Sequence, residues 1–206
     1  KKGCIMLKKR MMVLLAAAVL TVSVSGCGTE QKTADISTAG TGSQQAEAQE
    51  EAGPFEELSL TDLDGNEVGS ELFAENQMTM INIWATFCNP CLSELPELGE
   101  LAKEYAQTPG GVQIVGICTD VLDQKGNQVE EQIDLAKQAL RLTGADYQNL
   151  VPDKAFLNVL MESIPGVPTT FFVDSQGKLL GEAVVGARKK EAWQEIVDAR
   201  LQLLEK

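Results

Sequence analysis

Histidine does not occur anywhere among the 206 residues. That single absence removes the commonest metal ligand and the usual catalytic base. A zinc site would have to be built from thiolates alone. Only five cysteines are present, and only Cys88 and Cys91 stand close together, with Cys4 and Cys27 near the start and Cys118 alone in the body of the chain. Four cysteine ligands cannot then be gathered within one chain, although a dimer pooling two such pairs could gather them. Covalent c-type haem is excluded too, because Leu92 stands where its attachment motif needs histidine.

Positive charge is also scarce: 17 Lys and Arg face 30 Asp and Glu, for a net charge of −13. Lys1, Lys2, Lys8, Lys9 and Arg10 all precede Cys27 and no acid does, so taking those five charges off −13 leaves −18 for the remainder. An acidic body repels phosphate backbones, which argues against nucleic-acid binding. It equally disfavours adhesion to anionic lipid. A well-solvated surface accounts for the acidity.

Lys8, Lys9 and Arg10 precede the apolar run 11–24, which ends in Val24-Ser25-Gly26-Cys27. A basic region, a short apolar region and a small-residue cleavage site together form the pattern of an export signal. The run is shorter than the roughly 20 apolar residues of a membrane-spanning helix. Val24-Ser25-Gly26-Cys27 resembles the lipobox of bacterial lipoproteins, and the resemblance implies that Cys27 is lipidated and becomes the first mature residue. Otherwise Cys27 is only a small residue near an ordinary cleavage site. Residues 1–26 are expected to be a lipoprotein signal peptide, with Met6, Met11 and Met12 as candidate starts. Residues 28–54 are Thr, Gln, Ala, Glu, Gly and Ser with almost no large apolar side chains, too little to offset ordering entropy. Residues 27–54 are therefore expected to form a lipidated, disordered tether, reaching roughly 25–30 Å as a flexible coil.

Residues 55–206 have the size of one domain, with no internal repeat. Residues 55–60 alternate and lead into Asp64-Gly65-Asn66, which predicts an amino-terminal hairpin. Residues 78–86 (MTMINIWAT) and 112–118 (VQIVGIC) predict strands covered on both faces. Leu92, Leu95, Leu98 and Leu101 recur at helical spacing, with Pro96 expected to kink that helix. Further helices are predicted over 129–142, 156–161 and 190–204. Strands are predicted over 169–173 and 178–185, joined by a turn at 174–177. The order gives an α/β fold.

Residues 84–91 read WATFCNPC. If a helix begins at Cys88, that sulfur and the one on Cys91 meet on the face of its first turn. The leading sulfur then faces unpaired backbone N–H groups and the positive end of the helix dipole, which favour its thiolate. Moving a thiol pKa by one unit corresponds to about 1.4 kcal/mol, within what a helix terminus and hydrogen bonds supply. A CxxC pair by itself also suits half a zinc site or a structural bridge. The frame from Trp84 to Cys91, with Pro96 after it, resembles the thioredoxin superfamily, and Gly166-Val167-Pro168-Thr169-Thr170 resembles its cis-proline loop. Over residues 55–204 the chain is most similar to the TlpA/ResA group, through the hairpin, the extra segment around 121–153, Glu94 and the VPTTFFVDSQG run.

That resemblance implies a thioredoxin-like fold: a central mixed sheet flanked by helices, with an N-terminal hairpin extension and an inserted helical segment. It implies that Pro168 is cis and lies beside Cys88 and Cys91, with Asn89, Pro90, Val167 and Thr169 contacting substrate. It makes Glu94 the candidate acid that shifts Cys91 and relays its proton, although a helical glutamate is by default solvated. Trp84 either shields the disulfide or belongs to the core. Asn82 departs from thioredoxin, which has a buried acid there. Cys118 reads as a small buried hydrophobe rather than a third redox thiol.

The activity implied is thiol–disulfide exchange without a cofactor, Cys88 forming the mixed disulfide and Cys91 resolving it. The expected role is a monomeric reductant that takes electrons from a membrane thiol donor and passes them to exported cysteine proteins, including apocytochromes c. Its expected place is the outer face of a Gram-positive membrane, with the periplasm as alternative. Oxidative folding of secreted proteins, a peroxiredoxin-like peroxidase and a redox-silent binding module are the rival readings. Cys27→Ser is expected to leave the protein without lipid and to move it from the membrane to the soluble fraction, as read by fractionation and intact mass. Unchanged membrane retention would contradict the anchor.

Overall fold

The chain enters the fold through a turn at residues 53–56, closed by the Glu56 N–H on Gly53 O at 3.3 Å, which sets Phe55 into the core between Phe156 and Phe171. The structure is a computed structural model, and residues 53–205 are described. They fall within one of two units, Ala48–Lys206; the expected leader, Cys27 and the tether up to residue 52 lie outside the described residues.

Two short strands follow, β1 (Ser59–Asp62) and β2 (Glu67–Gly69), paired antiparallel. The hairpin is where the sequence predicts it, but its first strand begins at Ser59 rather than residue 55. Backbone closure of the preceding turn removes residues 55–58 from any ladder: Leu58 N–H donates to Phe55 O. After a single 3-10 turn at Ser70–Phe73 come β3 (Met78–Trp84), α1 (Asn89–Tyr105) and β4 (Val112–Cys118). Then follow α2 (Glu130–Thr143), β5 (Asn149–Val151), α3 (Lys154–Ser163), β6 (Thr169–Asp174), β7 (Val184–Val185) and α4 (Lys190–Leu204).

The strands form one seven-stranded sheet in the order β2-β1-β5-β4-β3-β6-β7. β3, β4 and β5 are parallel, while β6 runs antiparallel to β3 and β1 antiparallel to β5. This is the expected mixed sheet. The period-two alternation of a strand divides its residues between two layers. Met78 and Met80 pack with Leu98 and Leu101 of α1 and Trp193 and Val197 of α4. Ile81 and Ile83 point the other way, toward Phe55, Leu160 and Phe171. Both faces are covered, which is why β3 is buried at every position and reads as an unbroken apolar run.

The second of the two late strands is much shorter than the predicted 178–185. Only Val184 and Val185 pair with Thr170 and Thr169, beyond a single bridge between Val173 and Leu179. Gly181, at φ 74°, turns the backbone out of the extended conformation between them. α1 continues through Pro96 as one helix.

β4 and β5 meet at a position that admits no side chain. A Cβ on Gly116 would overlap Asn149 Oδ1, the atom that accepts the Trp84 Nε1–H bond at 2.8 Å. Gly116→Ala is expected to destabilise the protein by about 1–3 kcal/mol. Adding Asn149→Ala should give less than the sum of the two single losses, as measured by urea denaturation.

Candidate active site

β3 delivers the chain to the edge of the sheet at Trp84, and α1 starts at Asn89, so residues 85–88 turn the corner between them. Cys88 is the N-cap residue, with extended backbone, and its sulfur accepts the Cys91 N–H at 3.2 Å. Pro90 sits in the first turn, where a missing N–H leaves no helical bond unmade. Cys88 and Cys91 are joined as a disulfide, with Cα atoms 5.2 Å apart. The pair is unequal: Cys88 is 7% exposed and Cys91 1%. Cys88 is less open than an attacking residue is expected to be, yet it is the more exposed of the two. Asn89 and Pro90 are exposed beside it.

The Val167–Pro168 peptide bond is cis. The Val167 carbonyl oxygen lies 3.6 Å from Cys88 Sγ, so it can accept a hydrogen bond from that sulfur once it carries a proton. Thr169, expected to contact substrate, does not reach the surface. Its side chain is fully buried, its hydroxyl donates to Gly166 O at 2.7 Å, and its backbone pairs with Ile83 on one side and Val185 on the other. Its part is to shape the loop that carries Val167.

Glu94 is not a solvated helix residue. It follows Cys91 by three positions, on the same face of α1, and is 1% exposed. Its Oε1 accepts the Arg188 backbone N–H at 2.7 Å and the Trp193 indole N–H at 3.0 Å, and its Oε2 accepts from Asn82 Nδ2 at 3.2 Å. Burial raises the carboxyl above its ordinary pKa, and the three hydrogen bonds only partly oppose that shift. Asn82 donates a second bond to Thr170 Oγ1 at 3.0 Å. Trp84 is fully buried in the cluster that includes Cys88, Cys91 and Leu95. It therefore backs the disulfide from within the core, and the two readings of that residue describe one position.

Asp120 was not picked out by the sequence pattern. It accepts the Thr86 backbone N–H on both carboxylate oxygens, at 3.0 and 3.1 Å, and also bonds the Thr86 hydroxyl. The approach to Cys88 is thus tied to the loop after β4. One signal was available: Asp120 follows the carboxyl end of a parallel strand beside β3, where the site residues of open α/β sheets collect. Cys118 is fully buried and donates to Asp120 Oδ1 at 3.2 Å. Burial first, then the Asp120 charge, push its thiol well above the ordinary range, which suits a buried filler. Among the described residues, no group of three or more Cys, Asp or Glu side chains could hold a metal ion.

Residues 52–181 match the AhpC/TSA family, a span that includes both cysteines and the cis loop. The chain belongs to the AhpC/TSA family. Within it, thiol-disulfide oxidoreductase ResA of Oceanobacillus iheyensis is 26% identical over 187 residues, covering 91% of this chain and 84% of the relative. Thiol:disulfide interchange protein DsbE of Pasteurella multocida is 29% identical over 147 residues, or 71% and 72% of the two chains. A thioredoxin-family thiol:disulfide interchange protein from Chlorobium tepidum superposes with a TM-score of 0.56 at 26% identity, covering 70% of this chain and 93% of that one. An AhpC/TSA chain with these relatives and a closed Cys88–Cys91 pair is a thiol–disulfide oxidoreductase.

The raised pKa of Glu94 has a defined sign for stability. Between the ordinary value of 4.5 and the raised one, the folded protein holds a proton that the unfolded chain has released. Stability therefore falls as pH rises through that window. Glu94→Gln is expected to remove this fall, as measured by urea denaturation of the oxidised protein at pH 4, 5, 6 and 7. An unchanged pH profile would place the carboxyl in water.

Proposed function

We propose that this protein is a membrane-tethered reductant of disulfides in exported cysteine proteins, apocytochromes c among them, acting outside the cytoplasm as a monomer. The observation that carries the reading is the unequal pair: Cys88, the more exposed of the two, lies beside a cis-proline loop, and Cys91 is buried. The lipobox around Cys27 supports the tether, although it lies outside the described residues. No helix among the described residues is long and apolar enough to cross a membrane.

In the reduced protein the Cys88 thiolate attacks one sulfur of a substrate disulfide. The substrate S–S bond breaks, one substrate thiol leaves, and a mixed disulfide joins Cys88 to the other. Cys91, three residues on, then loses its proton and attacks Cys88 Sγ. The second substrate thiol leaves and the Cys88–Cys91 disulfide closes, so two electrons have passed to the substrate. The Cys91 N–H and the start of α1 stabilise the Cys88 thiolate as nucleophile and again as leaving group. Glu94, one turn after Cys91 on α1, takes the Cys91 proton in this reading, and its raised pKa makes its carboxylate a stronger base than an exposed one. Pro168 and Val167 lie opposite the sulfur, where the Val167 backbone pairs with an extended substrate. Asn89 and Pro90 form the exposed rim. A membrane thiol donor returns the electrons.

The peroxidase reading has less support. Thr86 stands two residues before Cys88 rather than three, and its hydroxyl is engaged by Asp120.

Cys91→Ala in cells is expected to accumulate mixed disulfides on Cys88 with exported cysteine proteins, identified by mass spectrometry after non-reducing capture. Adducts confined to cytoplasmic proteins, or none, would contradict the reading. A reduction potential near roughly −120 mV would instead mark an oxidant.

A further inference from the structure

Next to the disulfide lies a depression of about 540 Å³ between the 86–87 corner and α2, whose lining includes Phe87, Leu122, Val129 and Leu135 with Asp120 and Gln132 among its polar residues. Phe87 immediately precedes Cys88 and is 74% exposed; Leu135 is 43% exposed. Neither belongs to the core. An exposed aromatic ring adjoining a reactive sulfur is apolar surface left uncovered where a visiting chain must arrive. The wall is held in place, since Asp120 grips the Thr86 backbone N–H and hydroxyl and so fixes the residue from which Phe87 projects.

Leu135 also lines a second depression along α2, whose charged lining is Glu130, Glu131 and Asp134 against a single cation, Arg141. Among the described residues none of these three acids takes part in an ion pair. Glu130 and Glu131 suit the positive end of α2, but Asp134 lies a turn further along, so the dipole does not account for the strip. A second copy of this acidic chain would be repelled here, as would an anionic membrane. A polypeptide with apolar and basic side chains would not.

We propose that this groove receives the substrate chain beside its cysteine and selects an apolar residue followed by a basic one. The inference rests on the oxidoreductase reading and deepens it. The apolar residue seats against Phe87, Leu122 and Leu135, and the basic one meets Glu131 and Asp134. The cis-proline loop lies on the other side of Cys88 and handles the backbone. This groove handles the side chains.

The test uses the full chain in its reduced form and three probes. Two are peptides of equal length carrying one cysteine as a mixed disulfide with thionitrobenzoate, flanked by Leu and Lys in one and by Ser and Glu in the other. The third is hydroxyethyl disulfide. Each peptide turnover breaks the probe's S–S bond, releases the peptide thiol and the coloured thiolate, and closes Cys88–Cys91. The Leu-Lys peptide is expected to react in a single turnover with a second-order rate constant about tenfold higher at low salt, and the advantage should shrink as salt rises. Glu131→Lys with Asp134→Lys, both exposed positions, should reduce that ratio to about twofold or below. Leu135→Ser should lower the rate with the Leu-Lys peptide more than with the Ser-Glu peptide. Equal rates with both peptides, in a protein that reduces hydroxyethyl disulfide, would overturn the groove. Failure to reduce hydroxyethyl disulfide would overturn the oxidoreductase reading and the groove with it.

Discussion

The Cys91 N–H pointing at the Cys88 sulfur, 3.2 Å away, is the contact on which the rest of the protein depends. It exists because a helix must begin with unpaired amides and because this helix begins where β3 leaves the sheet. The position of that start is not set by the cysteines. It is set by Leu95, Leu98 and Leu101, which bind α1 to the sheet, and by Asp120, which holds Thr86 from the neighbouring loop. Packing several residues away therefore decides where the start of the helix, and the sulfur it carries, sits relative to the sheet.

Behind the sulfurs lies a carboxylate in a place that disfavours charge. Glu94 is buried among Asn82, Trp193 and the backbone of Arg188, and so fastens α1 to β3, to the segment before α4 and to α4 itself. Three hydrogen bonds make the ionised form tolerable without restoring its solvation in water. Burial therefore still holds that carboxyl above its ordinary pKa. Exposed ion pairs such as Lys189–Glu97 add little by comparison.

Much of this is legible in the sequence itself. β3 and β4 announce themselves because strands covered on both faces are apolar at nearly every position, and the CxxC frame is defined by adjacent residues. The VPTTFFV run carries its own context. What escaped depends on contacts distant in sequence. β5 has only three residues and no periodicity to detect. Asn149 matters because Gly116, on another strand, makes room for it. The burial of Glu94 rests on Trp193, which is 99 residues away, so its helix position alone suggested water. The strand expected over 178–185 failed because Gly181 adopts a positive φ, a choice that period-two counting cannot see. Thr169 is expected to contact substrate only through its place in the motif, whereas pairing on both edges of β6 keeps its side chain inside.

Cys88 is the more exposed of the two cysteines and caps the helix, whereas Cys91 is buried within its first turn. Brief treatment of the reduced protein with limiting iodoacetamide at pH 6.5, followed by fragment mass spectrometry, reads that difference directly. Labelling at Cys88 exceeding that at Cys91 by about tenfold or more is the predicted result. Equal labelling, or labelling led by Cys91, would contradict the account.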